Sequence, residues 1–180
     1  MHLKGRDFQL WEPGIGQNGK FKAPEFLIDA NRLEIIRLLV VLCSKTLYSS
    51  PQKIVDNGSK FLTALVTSLP KMKLLAFICS LLNISIRECS FSSFDNPINE
   101  PSYLLATYSV QLFALTLRYA IPSEDIDFVK NLNIINPGSE NSQIFPPSNL
   151  VRLYLSKLHK PSELQYIIKS YLQFLQKPMI

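Results

Sequence analysis

The sequence predicts an all-α fold, built from antiparallel helical hairpins as a segment of a HEAT- or armadillo-like α-solenoid. Three observations predict it. Apolar residues recur with a helical period in several segments, prolines or polar turn residues separate these segments, and no segment alternates apolar and polar residues as a half-buried strand does. Because no repeat of fixed length is visible, the solenoid prediction depends on the pairing of helices across short turns.

Residues 1–28 are predicted to form a loop, and residues 29–180 a helical segment that is an incomplete piece of a larger α-solenoid. The loop contains Pro13, Pro24 and four of the six glycines. Its Trp11 is expected to anchor the loop on the first helix, so that Trp11→Ala lowers folding stability by roughly 3–5 kcal/mol. Only 18% of the residues are charged, which favours helices whose flanks are covered by further parts of a larger protein.

The first helix is predicted over Asp29–Tyr48. Asp29 is a suitable N-cap, and Ser49, Ser50 and Pro51 end the helix. Its polar residues form one narrow stripe, made by Glu34, Arg37 and Lys45. A helix with so little polar surface is expected to be packed on more than one side.

Three further helices are predicted in the middle of the chain: Ser59–Leu69, which Pro70 ends, Lys71–Cys89, and Ser102–Ala120. The last of these carries no charge up to Leu117 and approaches the length of a membrane span. A polar stripe formed by Thr107, Gln111 and Arg118 favours a buried helix of a soluble protein instead. Residues 121–147 are predicted to be irregular, except for one helical turn around residues 124–130.

The last two helices are predicted over residues 147–159 and 161–176, each opened by a proline. The short turn between them predicts an antiparallel hairpin. The final helix has the clearest apolar face, which recurs at every third or fourth position: Leu164, Ile167, Ile168, Tyr171, Leu172 and Leu175.

The sequence has few residues of the types that catalyse reactions or bind metals, and their spacing predicts no catalytic, cofactor-binding or metal-binding site. The two histidines lack partners at ligand or triad spacing, and the three cysteines, Cys43, Cys79 and Cys89, match no metal or redox motif. Residues 14–21 resemble a phosphate-binding loop. However, Phe21 replaces the serine or threonine that would hold magnesium, and no strand precedes the loop. We therefore expect no enzymatic activity, no cofactor and no small-molecule substrate.

The net charge of +5 is spread along the chain without a nucleic-acid-binding motif, so no nucleic-acid partner is expected. One cluster has local bias: Arg152, Lys157, His159 and Lys160. Two interpretations stay open for it. The cations are either a solvated face near a helix C-terminus, or a docking surface for acidic lipid headgroups or a protein partner. The second interpretation makes these four residues the candidate partner or lipid surface, hereafter the basic cluster.

Three blocks of the sequence also resemble, in order, those of one protein family. They are Leu10–Gly16 followed by Asp29–Leu39, then Leu75–Asn83, then Ser156–Ile168. They resemble the Hid family, the high-temperature-induced dauer-formation proteins, which includes a fungal cell-wall-linked branch. The resemblance implies a large, all-helical, cytosolic protein that associates peripherally with the Golgi and is not known for enzymatic activity.

The function expected from this resemblance is that of a non-enzymatic helical scaffold in Golgi-associated protein trafficking and secretory-vesicle sorting. The implied partners are other proteins of the trafficking machinery, with peripheral contact to the Golgi membrane. The implied location is cytoplasmic, at the Golgi and trans-Golgi network. The alternative is a generic helical-repeat protein-binding adaptor that is not tied to the Golgi.

Overall fold

The computed structural model describes residues 26–44, 59–91, 101–135, 147–157 and 160–175. Every regular element in these ranges is helical, which confirms the all-α prediction for them. The elements are α1 (Phe26–Cys43), α2 (Lys60–Thr67), α3 (Lys71–Phe91), α4 (Pro101–Arg118), a 3-10 turn (Ser123–Asp125), α5 (Ile126–Ile135), α6 (Leu150–Ser156) and α7 (Pro161–Leu175).

The four long helices pack in the order α1, α4, α3, α7. Helix α4 contacts α1 on one side and α3 on the other, and α3 also contacts α7. The short helices fill the remaining sides: α2 contacts α1, α5 and α6, while α6 also contacts α3 and α4. Helix α7 packs mainly on α3, rather than on α6, its predicted hairpin partner.

The core lies between α3 and α4 and is closed by α1, α2 and α6. Burying each large aliphatic side chain contributes about 1.5–3 kcal/mol relative to leaving it in water. The largest side chains that are almost completely buried are Leu74, Leu81, Leu82, Ile86, Leu105, Leu112 and Leu150. Between its leucines, α4 also buries the small residues Ser102, Ala106 and Ser109, and small side chains allow neighbouring helices to approach closely.

The first helix begins earlier than predicted, and Ser44, inside its predicted range, is not helical. Helix α1 begins at Phe26, so Asp29 lies in its first turn instead of capping it. The Asp29 carboxylate is buried and pairs with Arg87 of α3. The helix ends at Cys43, and the Ser44 N–H donates to Val41 O. The rest of the predicted range, residues 45–48, lies outside the described residues.

The other helices differ less from the predictions. Helices α3, α4 and α7 begin within one residue of the predicted starts. Ser59, the first residue of the predicted range, caps α2, and its Oγ accepts from Leu62 N at 3.3 Å. Residues 126–135 form a full helix instead of one turn, and this helix packs against α2. Helix α6 begins only at Leu150, because the side chain of Asn149 caps it.

Among the described helices, none has on its own the length and apolarity needed to cross a membrane. Two neighbouring pairs reach the required length and composition only when taken together. They are Lys60–Thr67 with Lys71–Arg87, bent by 108°, and Pro101–Arg118 with Ser123–Leu132, bent by 89°.

Candidate functional site

The basic cluster lies around the end of α6 and the start of α7. Arg152 is exposed, yet its Nε donates to the carbonyl oxygen of Leu117 at the end of α4. Lys157 is exposed at the C-cap of α6, and Lys160, 65% exposed, has its Nζ 3.4 Å from Glu163 Oε1. His159 lies outside the described residues. In the described part of the cluster, Lys157 and Lys160 are thus the cations most available to a partner.

The contact of Arg152 has a structural purpose. The last carbonyl groups of a helix have no partner within the helix and carry a partial negative charge, which a nearby cation stabilises. Arg152 supplies this cation to α4, and so it ties α6 to the end of the central helix.

The side chain of Asn149 also links the start of α6 to the end of α4. Its Nδ2 donates to Thr116 O at 2.7 Å and to Tyr119 O at 3.1 Å. Its Oδ1 accepts from the backbone N–H groups of Val151 and Arg152. One amide therefore caps the start of α6 and the end of α4 together, which fixes where the basic cluster begins.

The apolar side of α7 divides into two parts in the structure. Ile167 and Tyr171 are half-buried against the core. Three more side chains form a surface that we call the outer α7 face: Leu164, Ile168 and Leu172, which are 41–59% exposed. The side chain of Leu175 lies outside the described residues. Lys160 O accepts from Leu164 N, so Lys160 lies one turn before Leu164 in the same row. The outer α7 face therefore begins directly beside the basic cluster.

Helix α1 also exposes apolar side chains. Leu33, Ile36 and Cys43 are buried on its inner side, which faces the core. On the opposite side, which we call the outer α1 face, Leu27, Ile35, Leu38 and Val41 are 37–73% exposed. The exposed polar residues Asn31 and Glu34 lie between Leu27 and Leu38 on the same side. The thin polar stripe in the sequence predicted that this helix is packed on more than one side. Among the described residues, only the inner side is covered.

A buried network joins α2 to the 3-10 turn. The Thr63 hydroxyl donates to Asp125 Oδ2 at 2.6 Å and lies 2.5 Å from the Tyr119 hydroxyl. The Tyr119 hydroxyl also donates to Ser59 O at 3.2 Å. Burial raises the pKa of Tyr119, and the hydrogen bonds with Thr63 and Ser59 offset this only in part. Because Thr63 is fully buried and Asp125 nearly so, no substrate can reach them. The network is structural.

The described ranges give little support for a metal site, and the predicted loop features cannot be assessed in them. No group of three or more His, Cys, Asp or Glu side chains gathers there to hold a metal ion. The glycine-rich loop at residues 14–21 and Trp11 lie outside the described residues. Among the described residues, the basic cluster and the two outer faces are the surfaces that we consider for function. The sequence alone did not separate the outer faces from the core-facing sides of their helices.

Comparison with known proteins places this chain in a family. The sequence profile described as Hid1, high-temperature-induced dauer-formation protein, matches residues 2–180. The "Ubp5-interacting protein ftp105" of Schizosaccharomyces pombe is 27% identical over 94% of the chain. "Protein HID1" of Homo sapiens is 24% identical and "Protein ECM30" of Saccharomyces cerevisiae 27% identical, each over 95% of the chain.

The matched region is a small part of each relative: 18% of ftp105, 22% of human HID1 and 13% of ECM30. No solved structure matches the chain. The profile match extends over almost every residue, including the three blocks on which the resemblance was based. The similar relatives come from both fungi and mammals. The chain belongs to the Hid1 family of high-temperature-induced dauer-formation proteins.

Proposed function

We propose that this chain is part of a non-enzymatic helical scaffold that acts in Golgi-associated protein trafficking and secretory-vesicle sorting. It would act at the cytoplasmic surface of the Golgi and trans-Golgi network by presenting helix faces to other proteins of the trafficking machinery. The observation that carries this proposal is the outer α7 face, an exposed apolar stripe beside the basic cluster. Exposed apolar patches with a polar rim mark interaction sites.

Two further observations support a scaffold. The relative ftp105 is named as a Ubp5-interacting protein, so one member of this family has a protein partner. The long helices also pack one beside the next, with α1 and α7 at the two ends of the row. A row that leaves apolar faces at its ends is what a segment of a HEAT- or armadillo-like α-solenoid would present to its neighbours.

The basic cluster is the proposed contact with the partner or with acidic lipid headgroups. Lys157 and Lys160 would supply the attraction, because Arg152 already binds the end of α4. Each cation near an anionic surface contributes about 1 kcal/mol, so the cluster alone is a weak determinant. The adjacent outer α7 face adds the apolar area that such a contact needs.

Localisation of the tagged chain against a trans-Golgi marker tests this proposal. We expect overlap with the marker, reduced in a Lys157→Glu/Lys160→Glu variant and kept in an Asp127→Lys variant, which changes an exposed charge on α5. If the overlap is unchanged in the Lys157→Glu/Lys160→Glu variant, the residues that direct the chain to the Golgi lie outside the basic cluster. A chain that never reaches the Golgi would favour the alternative, a generic helical-repeat protein-binding adaptor.

A further inference from the structure

The outer α7 face is bordered by lysines. Lys160 lies one turn before Leu164, whose N–H donates to its carbonyl oxygen. Lys157 is exposed three residues earlier, at the C-cap of α6. Lys169 is also exposed and lies three residues before Leu172, so these two side chains are neighbours on the helix surface. Cations therefore lie both at the start of the outer α7 face and beside its far end.

The acidic residue of α7, Glu163, is directed away from the outer α7 face. Its side chain is only 15% exposed, and its Oε1 lies 3.4 Å from Lys160 Nζ. Burial raises the pKa of the Cys79 thiol of α3, and the charge of Glu163 raises this pKa further, so Glu163 lies on the side of α7 that is near α3. The charge that α7 presents to solvent beside its apolar row is thus positive.

We propose that the outer α7 face binds the surface of an anionic membrane, with α7 lying in the membrane plane. Its three aliphatic side chains enter the boundary between headgroups and acyl chains, and the lysines contact the headgroups. Helices with an aliphatic face and lysines beside it bind membranes in this way. The inference rests on the proposed function, because it names the lipid surface as the occupant of a site proposed there.

The composition of the outer α7 face favours a membrane over a protein partner. Protein interfaces are enriched in tryptophan, tyrosine and arginine and are depleted in lysine. The outer α7 face contains only leucine and isoleucine, and the cations beside it are lysines. From Leu164 to Leu172 it is about 12 Å long, whereas a stable protein interface takes roughly 20–30 residues from each side. A membrane surface needs no such matching area.

The outer α1 face differs in its charges. The exposed polar residues Asn31 and Glu34 lie within its row. The nearby Arg37 pairs with Glu34 and lies over the Tyr108 ring, 5.4 Å from its centroid. An acid within the apolar row disfavours an anionic membrane, so the outer α1 face provides the control.

Flotation of the purified whole chain with vesicles tests the proposal. We expect binding to vesicles that contain about one-third phosphatidylserine in phosphatidylcholine, weaker binding to phosphatidylcholine alone, and a loss of binding at high salt. Ile168→Glu should weaken the binding by at least about tenfold. The matched control is Ile35→Glu on the outer α1 face, since Ile35 is 60% and Ile168 59% exposed. The control should bind like the wild type, and circular dichroism should show unchanged helix content in both variants.

Lysine variants test the headgroup contacts, and they remain informative even if Ile168→Glu fails to fold. Lys169→Gln should weaken the binding about fivefold, and Lys157→Gln/Lys169→Gln about 25-fold. The control Lys130→Gln removes a lysine of α5 that is 54% exposed, and it should leave the binding unchanged.

Three results would overturn the proposal. They are a wild-type chain that does not bind anionic vesicles, an Ile35→Glu variant that binds as weakly as Ile168→Glu, and a Lys130→Gln variant that binds as weakly as Lys169→Gln. Golgi overlap without vesicle binding would overturn this inference and leave the proposed function standing. Vesicle binding by a chain that never reaches the Golgi would do the reverse.

Discussion

Asp29 shows how one side chain can serve a purpose that its sequence position does not reveal. It is 1% exposed and accepts from Arg87 Nη2 at 2.7 Å and from Arg32 Nη1 at 3.3 Å. Arg87 is also buried, so both charges have left water and depend on each other. The pair fixes the start of α1 on α3, 58 residues later in the chain.

Breaking this pair should be costly. We expect Asp29→Leu and Arg87→Met each to lower the free energy of unfolding by about 3–5 kcal/mol, because each removes one partner of the buried pair and leaves the other charge in the interior. The double variant should cost clearly less than the sum, since it leaves neither charge behind. Urea unfolding followed by circular dichroism measures all three. Asp127→Asn breaks the exposed Asp127–Lys130 pair and should change little; strictly additive losses at Asp29 and Arg87 would contradict the pairing.

The buried thiol of Cys43 should make the free energy of unfolding decrease at alkaline pH. Burial raises the pKa of its thiol from 9.0 to about 11. Between these values the unfolded chain releases a proton that the folded chain keeps, so the free energy of unfolding should fall as the pH rises from 9 to 11. Burial also raises the pKa of Cys79 and of Tyr119, in the same direction.

Unfolding at several pH values in the wild type and in Cys43→Ala tests this. The variant removes one titrating group, so its stability should decline less steeply above about pH 9, whatever its stability near neutral pH. Equal slopes would show that Cys43 ionises alike in both states. The same burial predicts slow alkylation of Cys43 at about pH 8, because the thiolate is the reactive form.

At the scale of elements, the sequence predicts the starts of helices well where the local signal is strong. Helices α3 and α7 begin after Pro70 and at Pro161, and Ser59 caps α2, because these residues restrict the backbone by themselves. The length of α5 is underestimated by the sequence, because this helix is stabilised by packing on α2. One such contact places Lys60 Nζ over the Phe128 ring, 5.7 Å from its centroid. A single sequence does not show such partners.

For the candidate site as well, the sequence predicts local features but not the contacts between helices. The periodicity of α7 predicts an apolar face, yet it cannot show that Ile167 packs on the core while Ile168 stays exposed, since that depends on where α3 lies. Likewise, the sequence shows Arg152 as a cation of the basic cluster, but its contact with Leu117 O arises only when α4 and α6 meet.

The junction of α4 and α6 provides the test at this scale. Asn149→Ala removes the cap of α6 and the two bonds to Thr116 O and Tyr119 O, all in a buried position. We expect a loss of about 2–3 kcal/mol in the free energy of unfolding. Urea unfolding is again the measurement.

Asn149→Asp separates the two roles of the amide. Aspartate caps helices as well as asparagine does, so a simple cap would tolerate it. Here the carboxylate would face the carbonyl oxygens of Thr116 and Tyr119 without a proton to donate. The variant should therefore be at least as unstable as Asn149→Ala, and a stability near that of the wild type would show that the bonds to α4 contribute nothing.

At the scale of the whole molecule, the long helices differ in how completely they are covered. Helix α4 lies between α1 and α3 and buries residues along its whole length. Helix α7 contacts mainly α3, and the outer α7 face remains exposed. Local stability follows the number of buried apolar contacts, so the helices should not unfold with equal ease.

Hydrogen–deuterium exchange of the whole chain resolves this difference. Amides in the middle of α4 should exchange only through global unfolding, with the full free energy of unfolding. Those in α7 should exchange through local opening, at a free energy lower by several kcal/mol. Uniform protection across α4 and α7 would mean that α7 is held by contacts beyond those with α3.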